Sequence, residues 1–224
     1  MRYALTSLSA IVLAGGLSTR MGQDKALISI AGVPLLQRVC QIAMQCTDTV
    51  YVVSPWCDRY QSFLDQSIYL IQEVPAPGAA NSQTPLKGFA QGLASVESDW
   101  VLLLACDLPQ LKIDVLQDWM DSLASVNQEA IALLPKNPEG WWEPLCGFYR
   151  TDCLVNLEEF LEQGGRSFQG WLKSQTVQEL VLLDETMLFN CNTLEDLNQL
   201  QSSGSTISQS HKFPEVNHLG LEKM

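Results

Sequence analysis

The chain has 224 residues, of which 46% are hydrophobic, so it is long enough for one α/β domain with a full core and contains no apolar run that could span a bilayer. Its formal net charge of −12, from 13 basic and 25 acidic side chains, argues against a nucleic-acid-binding surface and against an anionic membrane partner. Seven cysteines without a C-x-x-C pair argue against a disulfide framework or a zinc cluster and indicate a reducing cytoplasm. The only two histidines in the sequence are His211 and His218, so the body of the chain has no histidine that could act as a general base.

The first predicted strand, Ser9–Ala14, leads into a glycine-rich loop. Its apolar run ends at Gly15 and Gly16, which let a ligand approach the main chain closely. Hydroxyl and cationic side chains follow in the loop: Ser18, Thr19, Arg20 and Lys25. Backbone N–H groups, a guanidinium and an ammonium favour anionic oxygens, so a polyphosphate site is one interpretation and a solvated turn is the other. The spacing matches neither a Walker loop nor the G-x-G-x-x-G dinucleotide motif.

Strands and helices alternate along the rest of the chain. Apolar runs predict the later strands or extended pieces: Ala26–Ile30, Thr49–Val53, Ile68–Ile71, Trp100–Leu104, Ala130–Leu134, part of Trp141–Tyr149, and Val177–Leu183. Helical spacing predicts the helices: Pro34–Gln45, Tyr60–Leu64, one beginning at Leu86, Val115–Ala124, Cys153–Leu161, Phe168–Leu172 and Thr193–Leu200. This alternation predicts a doubly wound, mostly parallel, Rossmann-like sheet with helices on both faces, in a single domain over residues 1–201. The polar composition of residues 202–224 predicts a disordered tail.

Polar residues come directly after several of these strands, where ligands bind in doubly wound sheets. Gly15, Ser54, Glu73 and Asp107 occupy such positions. A carboxylate after a buried strand is costly unless it caps a helix or holds a cation, so Asp107 is either a cap or loop residue or a Mg²⁺ ligand. Glu73 is either a solvated loop acid or a ligand contact.

The glycine loop carries a family resemblance. Residues 13–27, LAGGLSTRMGQDKAL, resemble the signature L-A-G-G-x-S-x-R-M-G-x-D-K-A-L of the nucleotidyltransferases that act on the molybdenum cofactor, above all the guanylyltransferases. Cys106-Asp107-Leu108-Pro109 resembles their C-D-x-P motif, and residues 190–197 resemble N-x-N-T-P-E-D-L. The chain departs from the family where Ser54 replaces a common asparagine, Glu73 an aspartate and Thr84 a glycine.

The resemblance implies transfer of GMP from GTP to the terminal phosphate of the molybdopterin cofactor, with release of pyrophosphate. The nucleophile is an anion, so no general base is needed. The implied catalytic residues are Arg20, Lys25 and Asp107, and the implied ligand of Mg²⁺ is Asp107. The implied GTP-binding residues are Leu13, Ala14, Gly15, Gly16, Lys25, Ser54, Glu73 and Asp107. The implied contacts with the pterin acceptor are Asn190 and Asn192.

Two other functions stay open at this point. One is a cytidylyltransferase acting on the same or another phosphorylated acceptor. The other is a non-catalytic nucleotide-binding module, which the departures at Ser54, Glu73 and Thr84 would permit. For the enzyme we expect GTP and the molybdopterin cofactor as substrates and transient contacts with cofactor-delivery proteins or acceptor molybdoenzymes. We expect no nucleic-acid or membrane partner and a cytoplasmic location.

Overall fold

The computed structural model of the chain describes residues 7–15, 24–74, 84–191 and 196. Its strands are β1 Leu8–Leu13, β2 Ser29–Ile30, β3 Val33–Pro34, β4 Val50–Ser54, β5 Tyr69–Gln72, β6 Trp100–Ala105, β7 Ala132–Pro135, β8 Cys146–Arg150 and β9 Val177–Leu180. Its α-helices are α1 Leu35–Cys46, α2 Cys57–Tyr60, α3 Pro85–Leu93, α4 Ile113–Asp121, α5 Leu154–Glu162 and α6 Phe168–Leu172. Outside the described residues lie Gly16, Arg20, Asn192, all but Asp196 of the predicted last helix, and the predicted tail.

Seven of these strands form one sheet in the order β5-β4-β1-β6-β8-β7-β9. The pairs β5–β4, β4–β1 and β1–β6 are parallel, and Ile11 of β1 lies opposite Tyr51 and Leu103. Strand β8 is antiparallel to both of its neighbours, whereas β9 is parallel to β7. The short strands β2 and β3 form a separate hairpin. The predicted mostly parallel sheet is therefore confirmed, with one reversed strand inside it.

Helices pack on both faces of the sheet, as predicted. Side chains alternate along β1, so Ala10 and Val12 join one apolar cluster, which includes residues of α1 and α4. Ile11 and Leu13 join the other cluster, which includes residues of α3, α5 and α6. Strand β6 is buried along its whole length, as expected for a central strand covered on both faces. Within the part of the chain that is described, no helix is long and apolar enough to cross a membrane.

Among the predicted boundaries that differ from the structure, two beside the glycine loop differ for identifiable local reasons. The extended piece predicted over Ala26–Ile30 begins instead as a 3₁₀ helix, Lys25–Leu27, because the Asp24 carboxylate accepts a hydrogen bond from the Ala26 backbone N–H at 3.1 Å. Pro34 does not open the first turn of α1, since its backbone is extended and pairs with Ser29. The 3₁₀ helix matters for the site because it contains Lys25.

Gly147, in the middle of β8, is expected to tolerate no side chain. A Cβ atom there would lie 2.6 Å from the carbonyl oxygen of Leu133, which is backbone and cannot rotate away, and 2.6 Å from a Leu134 methyl. Gly147→Ala should therefore lower the free energy of unfolding by about 1–3 kcal/mol, the range of overpacked interiors. Urea unfolding followed by circular dichroism would measure the loss. An unchanged unfolding midpoint would mean that β8 can move away from β7 at little cost.

Candidate active site

A cleft of about 240 Å³ opens at the carboxyl ends of the parallel strands. Six of the predicted site residues line it: Leu13, Ala14, Gly15, Lys25, Glu73 and Asp107. They come from three separate strand ends and from the 3₁₀ helix, with Thr84, Pro85 and Gly88 of the α3 start on another wall. This is the position at which open α/β sheets bind ligands.

Lys25 and Asp107 form an ion pair inside the cleft. The Lys25 Nζ lies 3.5 Å from an Asp107 carboxylate oxygen, and each side chain is 20% exposed. Burial raises the pKa of Asp107, and the Lys25 ammonium partly opposes that rise. Lys25 therefore favours the charged form of a carboxylate whose ionisation is disfavoured by burial.

The loop that holds Asp107 is fixed by backbone hydrogen bonds. The Cys106 N–H donates to the carbonyl of Leu13 at 3.1 Å, and the Cys191 N–H donates to the carbonyl of Asp107 at 3.0 Å. Burial raises the pKa of the Cys106 thiol well above its usual range, so it is a packing residue and not a nucleophile. Asp107 is thus presented by a rigid strand end.

Glu73 lies at the floor of the cleft between two glycines. Only 5% of the residue is exposed, and burial raises the pKa of its carboxyl group. A Cβ atom on Gly15 would lie 2.8 Å from the carboxylate of Glu73, and one on Gly88 would lie 3.7 Å from it. A side chain at Gly15 would therefore require the Glu73 carboxylate to move.

Ser54, which is predicted to contact GTP, is absent from the described lining of the cleft. It is fully buried; its Oγ donates to the carbonyl of Ala14 at 2.8 Å and accepts from the Trp56 N–H at 3.1 Å. Both interactions keep the hydroxyl inside the protein. Ser54 therefore supports the end of β1 and has no exposed group to offer a nucleotide.

The segment predicted to contact the acceptor is anchored beside Asp107. Cys191 is fully buried against Ile28 and Leu35, in addition to its backbone bond to the Asp107 loop. Its neighbour Asn190 is exposed, lies outside the cleft lining and has its amide 3.4 Å from the carbonyl of Leu188. An acceptor contact by Asn190 stays a prediction, and Asn192, like Gly16 and Arg20, lies outside the described residues.

Tyr60 contacts this site without having been predicted to do so. Its Oη donates to an Asp24 carboxylate oxygen at 2.8 Å, 36 residues away along the chain. The sequence pattern assigns Tyr60 only to a helix, and no local motif pairs it with Asp24. Such a contact becomes visible only once β1 and β4 are known to be neighbours.

The donor chemistry of the cleft suits a hard divalent cation shared with phosphate. Over residues 7–15, 24–74, 84–191 and 196, no three His, Cys, Asp or Glu side chains are grouped so that they could hold a metal by themselves. Mg²⁺ commonly takes one or two carboxylates and completes its shell with water and substrate phosphates. Asp107 fits that description because its carboxylate reaches the cleft.

The sheet is doubly wound, its first strand ends at a glycine, and a lysine and an aspartate face each other in the cleft. This combination is typical of α/β enzymes that transfer nucleotides. The family of MobA-like NTP transferase domains matches residues 10–178. The chain belongs to that family.

Known relatives agree with this assignment. A protein from Nostoc sp. named "probable molybdenum cofactor guanylyltransferase" is 56% identical over 204 residues, which cover 91% of this chain and 95% of the relative. A protein of the same name from Synechococcus elongatus is 45% identical over 87% of this chain and 98% of the relative. The crystal structure of molybdopterin-guanine dinucleotide biosynthesis protein A from Archaeoglobus fulgidus superposes with a TM-score of 0.71, covering 89% of this chain and all of that one, at 21% identity.

Proposed function

We propose that the chain is a molybdenum cofactor guanylyltransferase, which transfers GMP from GTP to the terminal phosphate of the molybdopterin cofactor and releases pyrophosphate. The observation that carries the proposal is the cleft in which Gly15, Lys25 and Asp107 meet at the strand ends. The relatives at 45% and 56% identity bear the name of this activity.

The reaction needs alignment and charge neutralisation more than proton transfer. The attacking phosphate oxygen is already anionic, which suits a described cleft lining that contains no histidine. Lys25, held on its 3₁₀ helix, orients the α-phosphate and stabilises the negative charge that grows there in the transition state. Arg20 is proposed to neutralise the β- and γ-phosphates, and the backbone of Leu13 to Gly16 to contact base and phosphate.

The electrostatics of the cleft favour a cation in addition to Lys25. The described lining contains three carboxylates, Asp24, Glu73 and Asp107, and one ammonium group. A triphosphate brings further negative charge into this acidic protein, so its binding calls for added positive charge. We propose that Asp107 holds Mg²⁺, which when bound supplies Lewis-acid neutralisation of phosphate oxygens.

Glu73 is proposed to recognise the guanine base. Its carboxylate can accept two hydrogen bonds side by side, and guanine presents an N–H and an amino group on one edge. The glycines on both sides of it leave room for a base to approach the carboxylate. An ionised Glu73 would favour guanine, which offers two adjacent donors, over cytosine, whose corresponding edge has one amino donor beside two acceptors.

Glu73→Gln should weaken GTP binding about 10- to 100-fold while leaving the weak binding of ATP unchanged, because the amide offers one acceptor and sets a donor against the base. Titration calorimetry at pH 7 would measure both affinities. The matched control is Glu97→Gln, a surface substitution outside the cleft lining. Equal GTP affinity in Glu73→Gln and the native protein would remove Glu73 from base recognition.

The same substitution has a predicted effect on the ligand-free protein. The pKa of Glu73 is raised in the folded state, so the folded protein binds this proton more tightly than the unfolded chain. Its ionisation therefore destabilises the fold as the pH rises from the ordinary pKa through the raised one. Glu73→Gln removes this contribution, so its melting temperature should exceed that of the native protein at pH 8 and not at pH 4.

The decisive experiment on function is nucleotide selection followed by product analysis. Thermal unfolding with GTP, CTP, ATP and UTP, each with and without Mg²⁺, should give the largest shift for GTP with Mg²⁺; a ligand at 100 times its Kd adds about 2.7 kcal/mol. Mass spectrometry after incubation with the pterin acceptor should then detect the guanine dinucleotide. Preference for CTP would support the cytidylyl alternative, and nucleotide binding without pyrophosphate release would support a non-catalytic module.

We propose a cytoplasmic location for the protein from its cysteines. All seven cysteines are free and buried, which fits the reducing cytoplasm. The pterin substrate and its product would pass by transient contacts with a cofactor-delivery protein and an acceptor molybdoenzyme. These partners are proposals that follow from the reaction.

A further inference from the structure

The end of β4 and the short helix α2 that follows it contact the chain at both flanks of the glycine loop. At the first flank, the Ser54 Oγ donates to the carbonyl of Ala14 at 2.8 Å. At the second, the Tyr60 Oη donates to the Asp24 carboxylate at 2.8 Å. Ala14 precedes Gly15, and Asp24 precedes Lys25, so the short stretch from Ser54 to Tyr60 contacts the residue before each of these two cleft residues.

Tyr60 makes its bond to Asp24 from a fully buried position. The residue has no exposed surface, and its ring packs edge-on against Phe63 with centroids 5.9 Å apart. Burial first, and the neighbouring carboxylate second, raise the pKa of Tyr60 far above its usual value, so the phenol remains a donor. Its single proton goes to Asp24, because the carbonyl of Ala14 lies farther away, at 3.5 Å, and is the weaker acceptor.

The Asp24 carboxylate connects Tyr60 to Lys25. One oxygen accepts from the Ala26 N–H at 3.1 Å and thereby caps the 3₁₀ helix that contains Lys25. The other oxygen accepts from Tyr60 and lies 3.6 Å from the Arg59 guanidinium. Arg59 is 54% exposed, so its contribution is small beside that of the buried phenol.

We propose that Tyr60 is a positioning residue, which fixes the direction of the Lys25 side chain by holding the Asp24 cap. The proposal rests on the proposed nucleotidyl transfer for its catalytic consequence. Lys25 directly follows Asp24, and rotation of an unanchored Asp24 would turn the 3₁₀ helix and move the ammonium away from its place 3.5 Å from Asp107. A displacement of about 1 Å in a catalytic group can lower turnover about 100-fold.

Tyr60→Phe removes the hydroxyl and keeps the ring. Its kcat at saturating GTP and pterin acceptor should fall by about 10-fold or more, because Lys25 acts mainly in the transition state. Its KM for GTP should stay within about threefold, since Gly15 and Glu73 are untouched. A large rise in KM with unchanged kcat would overturn the proposal.

Two control variants separate positioning from general damage. Tyr69→Phe removes a phenol hydroxyl from a 57% exposed ring on β5, and Arg59→Ala removes the solvent-side partner of the same carboxylate. Both should keep kcat within about twofold of the native value. An equal loss in Arg59→Ala and Tyr60→Phe would contradict the assignment to Tyr60.

A double-mutant cycle tests whether the effect passes through Lys25. In a Lys25→Ala background, Tyr60→Phe should lower kcat no further, because the group it positions is gone. A full additional loss in that background would mean that Tyr60 acts by another route and would overturn the proposal. If Tyr60→Phe proved unstable, Asp24→Ala would enter the same cycle.

Amide hydrogen exchange tests the positioning without reference to activity. Exchange in a peptide spanning Lys25–Leu27 should speed up by about 10-fold in Tyr60→Phe, while peptides from α4 should be unaffected. Unchanged exchange there would overturn the proposal even if transfer were observed. Absence of guanylyl transfer by the native protein, with the exchange effect present, would overturn the proposed function and leave the contact intact.

Discussion

Replacing Lys25 with alanine is expected to lower kcat by about 100- to 1,000-fold, the usual cost of removing one preorganised charge from a transition state. Lys25 is the cation opposite Asp107, and its position on a capped 3₁₀ helix means that it needs little reorganisation when negative charge develops. GTP should still stabilise the variant against heat by a large part of the native shift. Steady-state pyrophosphate release at saturating substrates would measure kcat.

The control for this substitution is Lys136→Ala. Lys136 is also an ion-paired lysine, 2.8 Å from Glu179, and its ammonium lies over the Trp142 ring, but it does not line the cleft. Its kcat should be close to native. A Lys25→Ala enzyme with a near-native rate would exclude Lys25 from the mechanism, whereas unchanged kcat with a much weaker GTP affinity would assign it to ground-state binding.

The parallel half of the sheet could be predicted because its strands are simple in sequence. The runs Ala10–Ala14 and Trp100–Ala105 are apolar throughout, as buried central strands require, and polar residues follow closely after each of them. The reversal of β8 could not be predicted, because Cys146–Arg150 has no pattern that distinguishes one direction from the other. Its direction follows from pairing with β6 and β7, which is a long-range property.

The expectation that ligands bind where polar residues follow the strands predicted the position of the site better than the roles of its residues. It brought Gly15, Glu73 and Asp107 together, and the structure places all three in one cleft. It also selected Ser54, whose side chain points into the protein, because position along a strand end does not reveal which way the last side chain faces. Side-chain direction and partners distant in sequence, such as Tyr60, require the fold.

The negative charges of Glu73 and Asp107 in the cleft oppose folding but serve ligand binding. Burial raises the pKa of both Glu73 and Asp107, so ionisation of either group at neutral pH opposes folding. A guanine base and a divalent cation are ligands that would compensate these charges. The ligand-free protein is therefore expected to gain stability from nucleotide and Mg²⁺ together beyond the sum of their separate effects.

Asp107→Asn is expected to lower kcat by about 100-fold or more and to abolish the extra thermal stabilisation that Mg²⁺ gives in the presence of GTP, because a neutral amide is a poor ligand for a hard cation. In the ligand-free protein, burial raises the pKa of Asp107, so protons compete with Mg²⁺ for this carboxylate on the acid side. Native activity at limiting Mg²⁺ should therefore fall at acid pH, and the residual activity of Asp107→Asn should lack this fall.

Asp118→Asn, on the exposed face of α4, makes the same change of charge away from the cleft and serves as the matched control. Thermal unfolding with GTP at several Mg²⁺ concentrations would give the cation dependence without relying on turnover. If Asp107→Asn kept the native response to Mg²⁺ but lost activity, Asp107 would act through its pairing with Lys25 and the cation would be held elsewhere. If both the response and the rate were native, the strand-end carboxylate would have only the structural role of a loop residue, and the proposed reaction would have to proceed without it.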